Sequence, residues 1–258
     1  MAQNLNKLVK NPEQIKVMRE GGKILAGMLS EIEGMIKPGV VIYDLEDRFI
    51  QMCAENKVLP SCKGYAPYFL TPFPTGLCVS VNSQCVHSYP RKGTFLKSGD
   101  IITVDTVIEH KGLMVDSSFA KAVGDVDLNG MSLIDTSRQA LIAAINMAVP
   151  SSRIGDVSNA MFKTAKSKGF DVLRDYAGHG IGKSMHENPE IPCYGKANEG
   201  PELIPGLTIC IEALTCEGKP EVDNVDEWET KMHDGKRFAQ FEHTILITEG
   251  EPEILTTL

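Results

Sequence analysis

The sequence predicts an α+β fold in which a curved antiparallel sheet of pseudo-two-fold symmetry carries helices on its outer face. Three observations carry this expectation. A segment beginning at Pro38 is echoed by one beginning at Pro150, each echo joins two stretches of helical periodicity, and each helical pair is followed by two strand-like runs. No Ser/Gly-rich or charged linker divides the chain.

In the first half Ile15, Met18, Leu25, Met28 and Ile32 recur at helical spacing. Pro38-Gly-Val-Val-Ile42-Tyr-Asp44-Leu45 then opens a second helix whose apolar stripe continues at Phe49, with Asp44 as its cap or first-turn acid. In the second half Leu141, Ile145 and Ala148 precede Pro150-Ser-Ser-Arg-Ile154-Gly-Asp156-Val157, continued at Met161. The strand signals are IITVDTVI and GLMVDSSFAKAVG in the first half, LTICIEAL and FAQFEHTILIT in the second. Two helices and two strands per half make an antiparallel sheet the simplest architecture, with the site where the halves meet. Residues 1–10 read as an N-terminal extension before a single domain from 11 to 258.

At 258 residues length alone allows one domain or two, and 42% hydrophobic with 23% charged residues is the balance of a globular chain with a sizeable core. A net charge of −8 argues against a phosphate-dominated nucleic-acid binder. The N-terminus lacks the apolar core of a signal peptide, and no stretch approaches the roughly 18 apolar residues of a membrane span, so a cytoplasmic location without membrane contact is expected. Seven scattered cysteines with no C-x-x-C pair favour reduced, mostly buried thiols over disulfides or structural zinc.

Asp105 interrupts the apolar run Ile101 to Ile108, and a buried carboxylate is costly unless paired, hydrogen-bonded or metal-bound. With Glu109-His110-Lys111-Gly112 as the hairpin connection and Ile108 opposite Leu113, Asp105 faces Asp116. Opposed carboxylates repel, so something positive should sit between them. Glu212 and Glu242 repeat the puzzle in their own apolar runs, and His179 lies in Ala177-Gly-His-Gly-Ile-Gly, where glycines leave room around the imidazole. Singly, each has an ordinary reading as a hydrogen-bonded carboxylate or a solvated loop histidine; together they point to metal. Four carboxylates match two divalent cations, and oxygen-rich ligation with one imidazole and no thiolate suits manganese, iron(II), cobalt or zinc. Paired ions about 3.5–4 Å apart activate water for hydrolysis. His110 and His233, each in a polar turn, read as exposed.

The order Asp105, Asp116, His179, Glu212, Glu242, together with Asn82-Ser-Gln-Cys-Val-His87, Gly178-His-Gly-Ile-Gly and Gln240-Phe-Glu-His-Thr, resembles the type I methionine aminopeptidases of the pita-bread (creatinase/aminopeptidase) fold, from about Asn11 to Glu253. The resemblance implies a single catalytic domain that removes the initiator methionine from nascent proteins when the second residue is small. It implies Asp105 and Glu242 bridging two metals, His179 and Glu212 on one ion, and both oxygens of Asp116 on the other. His87 would contact the scissile region, His186 would hold the carbonyl oxyanion, and Glu212 would shuttle the proton of the attacking water. His87, Tyr65, Phe73, Cys78 and Trp228 would approach the methionine side chain, although core packing is the ordinary reading of the aromatics. The partners implied are nascent N-termini and, transiently, the ribosome, with the chain a monomer; its own Met1-Ala2 start fits the substrate rule. Three departures stand out: a longer segment between Tyr65 and Cys78, Met185 where an aromatic is common, and Ala213 where proline is usual. A proline-specific peptidase of the same fold and a metal-free binding protein are the competing readings.

Overall fold

Helix α1 (Pro12–Met35) starts where Asn11 Oδ1 accepts from the Gln14 amide at 2.9 Å and Gln14 Oε1 accepts from the Asn11 amide at 3.0 Å, a reciprocal cap with Pro12 in the first turn. Helix α2 (Ile42–Asn56) carries Asp44 in its first turn and stops at Lys57, whose φ of 56° leaves the helical region. The same design recurs in α3 (Leu128–Asn146), capped by Asp127, and α4 (Ile154–Ser167), where Asp156 accepts from the Arg153 amide at 2.8 Å. The helices expected to open at Ile42 and Ile154 do so. This computed structural model describes residues 5–258; residues 1–4, including the Met1-Ala2 start, lie outside the described residues. From Leu5 onward the extension is packed down: Leu5 joins the core of the second half, and the Lys10 ammonium lies 2.6 Å from Glu187.

The principal strands are β1 (Cys78–Val81), β2 (Ile101–His110), β3 (Leu113–Ala122), β4 (Ala177–Gly180), β5 (Glu187–Pro192), β6 (Thr208–Cys216) and β7 (Phe238–Leu246). They form most of a ten-stranded sheet in the spatial order β2–β3–β7–β6–β4–β5, with β1 on the outer edge of β2 and antiparallel pairing throughout. The first half contributes β2 and β3, the second β6 and β7. They meet at β3–β7, where Ser118 faces Glu242 and Ser117 faces His243.

The alternation of strand side chains sorts the two faces. Ile102, Val104, Ile108 and Val115 pack with Leu25, Ile32, Leu45 and Phe49 of α1 and α2. Ile209, Ile211, Ala239 and Ile245 pack with Leu133, Leu141, Val157 and Met161 of α3 and α4. Each of the larger of these side chains, fully buried, stabilises by roughly 1.5–3 kcal/mol. The intervening positions, including Asp105, Asp116, Glu212 and Glu242, leave the sheet on the other face. A separate three-stranded sheet of Val222–Asn224, Thr230–Met232 and Gln84–Cys85 ties the segment carrying Trp228 to the one carrying His87.

Two expectations are corrected. The β2–β3 connection is the two-residue turn Lys111-Gly112, with φ of 51° and 81°, so His110 faces Leu113, Asp105 faces Ser118, and Asp116 faces Val107. Two residues at positive φ match the right-handed twist of the strands better than a four-residue loop does. Asp105 and Asp116 are therefore diagonal neighbours on one face. His110 is consequently a strand residue, buried against Gly21 of α1 with Nε2 3.4 Å from Glu20, and not an exposed turn residue. His233 is exposed as expected, 2.9 Å from Asp223.

Candidate active site

Asp105 on β2, Asp116 on β3, Glu212 on β6, Glu242 on β7 and His179 on β4 converge on one cavity of about 420 Å³. Glycines make the histidine strand fit. A Cβ on Gly178 would stand 2.3 Å from the Cys210 carbonyl oxygen, and one on Gly180 2.2 Å from that of Asn188, so β4 can lie between β6 and β5 only without side chains there. His179 Nδ1 lies 2.9 Å from the Gly180 carbonyl, an acceptor only, so the proton is on Nδ1 and the Nε2 lone pair is left facing the acids. That Nε2 is 3.6 Å from Glu212 Oε1 and 3.7 Å from Asp116 Oδ2.

Burial makes these side chains reluctant to hold charge. It raises Asp105 to about 6 against hydrogen bonds from Asp116 and Gln240, and raises Asp116, Glu212 and Glu242 well above the usual carboxylate range, with their mutual repulsion adding to it. It also pushes His179 down to about 3 and His87 to about 4. Asp116 Oδ1 and Glu242 Oε1 are buried without a protein partner, and among the described residues lining the cavity none is Lys or Arg. Oxygens in this state fit a cation. One donor atom each from Asp116, His179, Cys210 and Glu242 lies within 4.8 Å of the others, a cluster able to hold a metal ion.

The opposite wall is apolar. Phe73 meets the Trp228 ring edge-on with centroids 5.2 Å apart, Tyr65 lies 6.4 Å from Trp228, and Cys78 and Met185 add sulfur. Trp228 is fixed by its indole N–H donating to the Thr71 carbonyl at 2.8 Å. His186 sits between the walls, with its ring 4.4 Å from that of His179 and Nδ1 2.9 Å from the Tyr65 hydroxyl. His87 stands edge-on to Trp228 at 6.3 Å and to Tyr176 at 5.5 Å. The cavity thus gathers all eleven site residues singled out in the sequence. The segment after Tyr65 forms a short turn at Pro67–Phe69 whose Tyr68 and Phe69 adopt φ of 53° and 67° and face solvent at the rim.

Residues 16–249 match Metallopeptidase family M24. The chain belongs to that family. Within it, the chain is 35% identical to the methionine aminopeptidase of Clostridium acetobutylicum over 96% of this chain and 98% of that one. It superimposes on the methionine aminopeptidase of Thermotoga maritima with a TM-score of 0.93 and 40% identity, covering 97% and 99% of the two chains. A prolidase from Pyrococcus furiosus shares the pita-bread fold alone, with a TM-score of 0.73 at 18% identity, and this chain spans 66% of its length. The M24 assignment and the buried donor cluster agree on a metal-dependent peptidase.

Three residues at this M24 site carry no role in the sequence reading, although Gln240 stands in one of its motifs. Gln240 is buried with Nε2 3.4 Å from both Asp105 and Glu242, and its spacing of two from Glu242 was the available signal. Tyr176 carried none, because its approach to His87 depends on tertiary packing. Cys210 stands two residues before Glu212 on the same strand face, and its sulfur lies inside a donor set for which no thiol was expected.

Proposed function

We propose that this M24 peptidase is a methionine aminopeptidase removing the initiator methionine from nascent chains whose second residue is small, with two divalent ions among Asp105, Asp116, His179, Glu212 and Glu242. The observation that carries this is the pairing, in one cavity, of four carboxylates, Asp116 and Glu242 buried and Asp105 and Glu212 partly so, and an imidazole with an aromatic and sulfur-lined wall suited to a thioether. When bound, the ions supply carbonyl polarisation and a water acidic enough to attack near neutral pH. Asp105 and Glu242 come from different halves and would hold the ions from both sides of the seam between them. Glu212 takes the proton of the attacking water and returns it to the leaving amine. With the Tyr65 hydroxyl donating to His186 Nδ1, the His186 proton sits on Nε2, as a donor to the carbonyl oxyanion requires. His87, held neutral by burial, contacts the scissile amide.

The donor side chains rule against a metal-free binding role, since removing an ion from them leaves buried carboxylates opposed with nothing between. Residues 11–258 act as the single catalytic domain behind the extension 1–10, and a cytoplasmic monomer visiting the ribosome fits the substrate. Purified metal-loaded enzyme is expected to cleave Met-Ala-Ser and leave Ala-Pro-Ala intact, and to process Met-Ala far faster than Met-Lys, because a narrow pocket past the scissile bond excludes bulk by overlap. Preference for Ala-Pro-Ala, or equal rates on Met-Lys and Met-Ala, overturns the reading.

A further inference from the structure

The strand Thr208-Ile-Cys-Ile-Glu places Cys210 and Glu212 two apart, so both side chains leave β6 toward the acids. In the ladders Cys210 is directly opposite His179 on one side and Thr244 on the other. It is fully buried.

The thiol's polar contacts there are Thr244 and the Glu242 carboxylate, itself one of the donors of the cluster. Its hydrogen-bond neighbour is Thr244 Oγ1 at 3.7 Å, a hydroxyl already donating to the Asp116 carbonyl at 2.8 Å and accepting from the Asp116 amide at 2.9 Å. By contrast Sγ, one oxygen each of Asp116 and Glu242, and a ring nitrogen of His179 lie within 4.8 Å of one another. Donors around a tetrahedral ion with bonds of ~2.3 Å to sulfur and ~2.0–2.2 Å to nitrogen and oxygen are separated by roughly 3.3–3.6 Å. A contraction of about an ångström therefore brings Sγ to ligand spacing beside whichever of these donors holds the ion it joins. The orphaned oxygens Asp116 Oδ1 and Glu242 Oε1 are a second, independent sign that this spot lacks a partner of opposite charge.

We propose that Cys210 Sγ is a direct ligand of one of the two ions, giving the centre a mixed oxygen, nitrogen and sulfur donor set. This rests on the metal-centre reading above. The Sγ–H bond breaks as the sulfur–metal bond forms, and the proton leaves to water. A soft thiolate in an otherwise hard set shifts preference from manganese or magnesium toward iron(II), cobalt and zinc.

Cobalt(II) titration of the metal-stripped protein separates the two claims. Visible ligand-field absorption reports cobalt in the carboxylate and imidazole site, whereas a near-ultraviolet sulfur-to-cobalt charge-transfer band reports a thiolate ligand. Wild-type protein is expected to show both. Cys210→Ser and Cys210→Thr should keep the visible bands, lose the ultraviolet band, and lower the ratio of cobalt to manganese affinity by at least about tenfold. Cys78→Ser should retain the ultraviolet band, although that thiol lines the cavity opposite Asp105 in the β1–β2 ladder. Visible bands without charge transfer in the wild type, or a charge-transfer band that survives both Cys210 variants, overturns the proposal and leaves the metal centre standing. The wild-type spectrum decides even if a variant fails to fold. Absence of any cobalt absorption overturns the metal-centre reading and this proposal together.

Discussion

Asp116 shows how one residue can serve a bound state at the expense of the free one. Its carboxylate is buried beside Asp105, and one of its oxygens has no protein partner. Asp116→Asn should therefore raise the melting temperature of the metal-free protein by removing a buried repulsion. The same change should weaken metal binding by more than about 100-fold, since even outer-sphere partners of metal ligands are worth about 10–100-fold. Calorimetry on stripped and loaded protein reads both signs, and unchanged affinity would remove Asp116 from the ligand set. The raised carboxylates also set a pH dependence. In the folded chain Asp105 sits at about 6 and burial holds Asp116, Glu212 and Glu242 well above the usual carboxylate range, so the folded state holds protons that the unfolded state has released. Below pH 6.5 the buried neutral His87, His179 and His243, pushed to about 4, 3 and 4, act in the opposite direction, because the unfolded chain takes up protons that the folded one refuses. Once the pH is about a unit above 6.5, these histidines and His186, also lowered by burial, are neutral in both states, and the raised carboxylates decide. Stripped protein should thus lose stability as pH rises through the raised carboxylates once the histidines are neutral, whereas protein with metal in excess should not, because metal affinity climbs as its ligands deprotonate. Thermal scans with and without chelator test this.

At the scale of elements, the β2–β3 hairpin shows what was legible and what was not. The apolar run and its central acid identified the strand, and alternation put Asp105 and Asp116 on one face. That inference survived a wrong register because the pairing was displaced by two residues, and side-chain direction repeats every two. Local sequence does not say whether Glu109 and His110 belong to turn or ladder; α1 and the twist of the strands decide that. Helix openings at Ile42 and Ile154 were legible because caps and first-turn acids are local chemistry. Cys210 had the right parity to be noticed, but its pairing with His179 depends on β4 being laid against β6, which no local signal announces. The corrected hairpin has a measurable outcome. His110→Ala should cost roughly 1–3 kcal/mol by emptying space against Gly21, whereas His233→Ala should stay within about 0.5 kcal/mol. Chemical denaturation of the two variants distinguishes them, and equal stabilities would return His110 to the surface.

At the scale of the whole molecule, the repeated helix–helix–strand–strand unit explains why the site is where it is. Each half covers one sheet face with its own helices and core, and the uncovered face of each supplies acids: Asp105 and Asp116 from the first, Glu212 and Glu242 from the second, with His179 beside them. Within the large sheet the halves are joined at β3–β7, where the ladder spans only Ser117 and Ser118 opposite His243 and Glu242, against nine residue pairs between β7 and β6. Ions gripped from both sides of so short a seam act as a rivet. Removing them should therefore leave each half intact while the joint breathes: amide hydrogens on β3 and β7 should exchange with deuterium faster in chelated protein, and those within α1 and α3 should not. Uniform acceleration across both halves would mean instead that the two share a single cooperative unit, in which the seam has no independent motion to restrain.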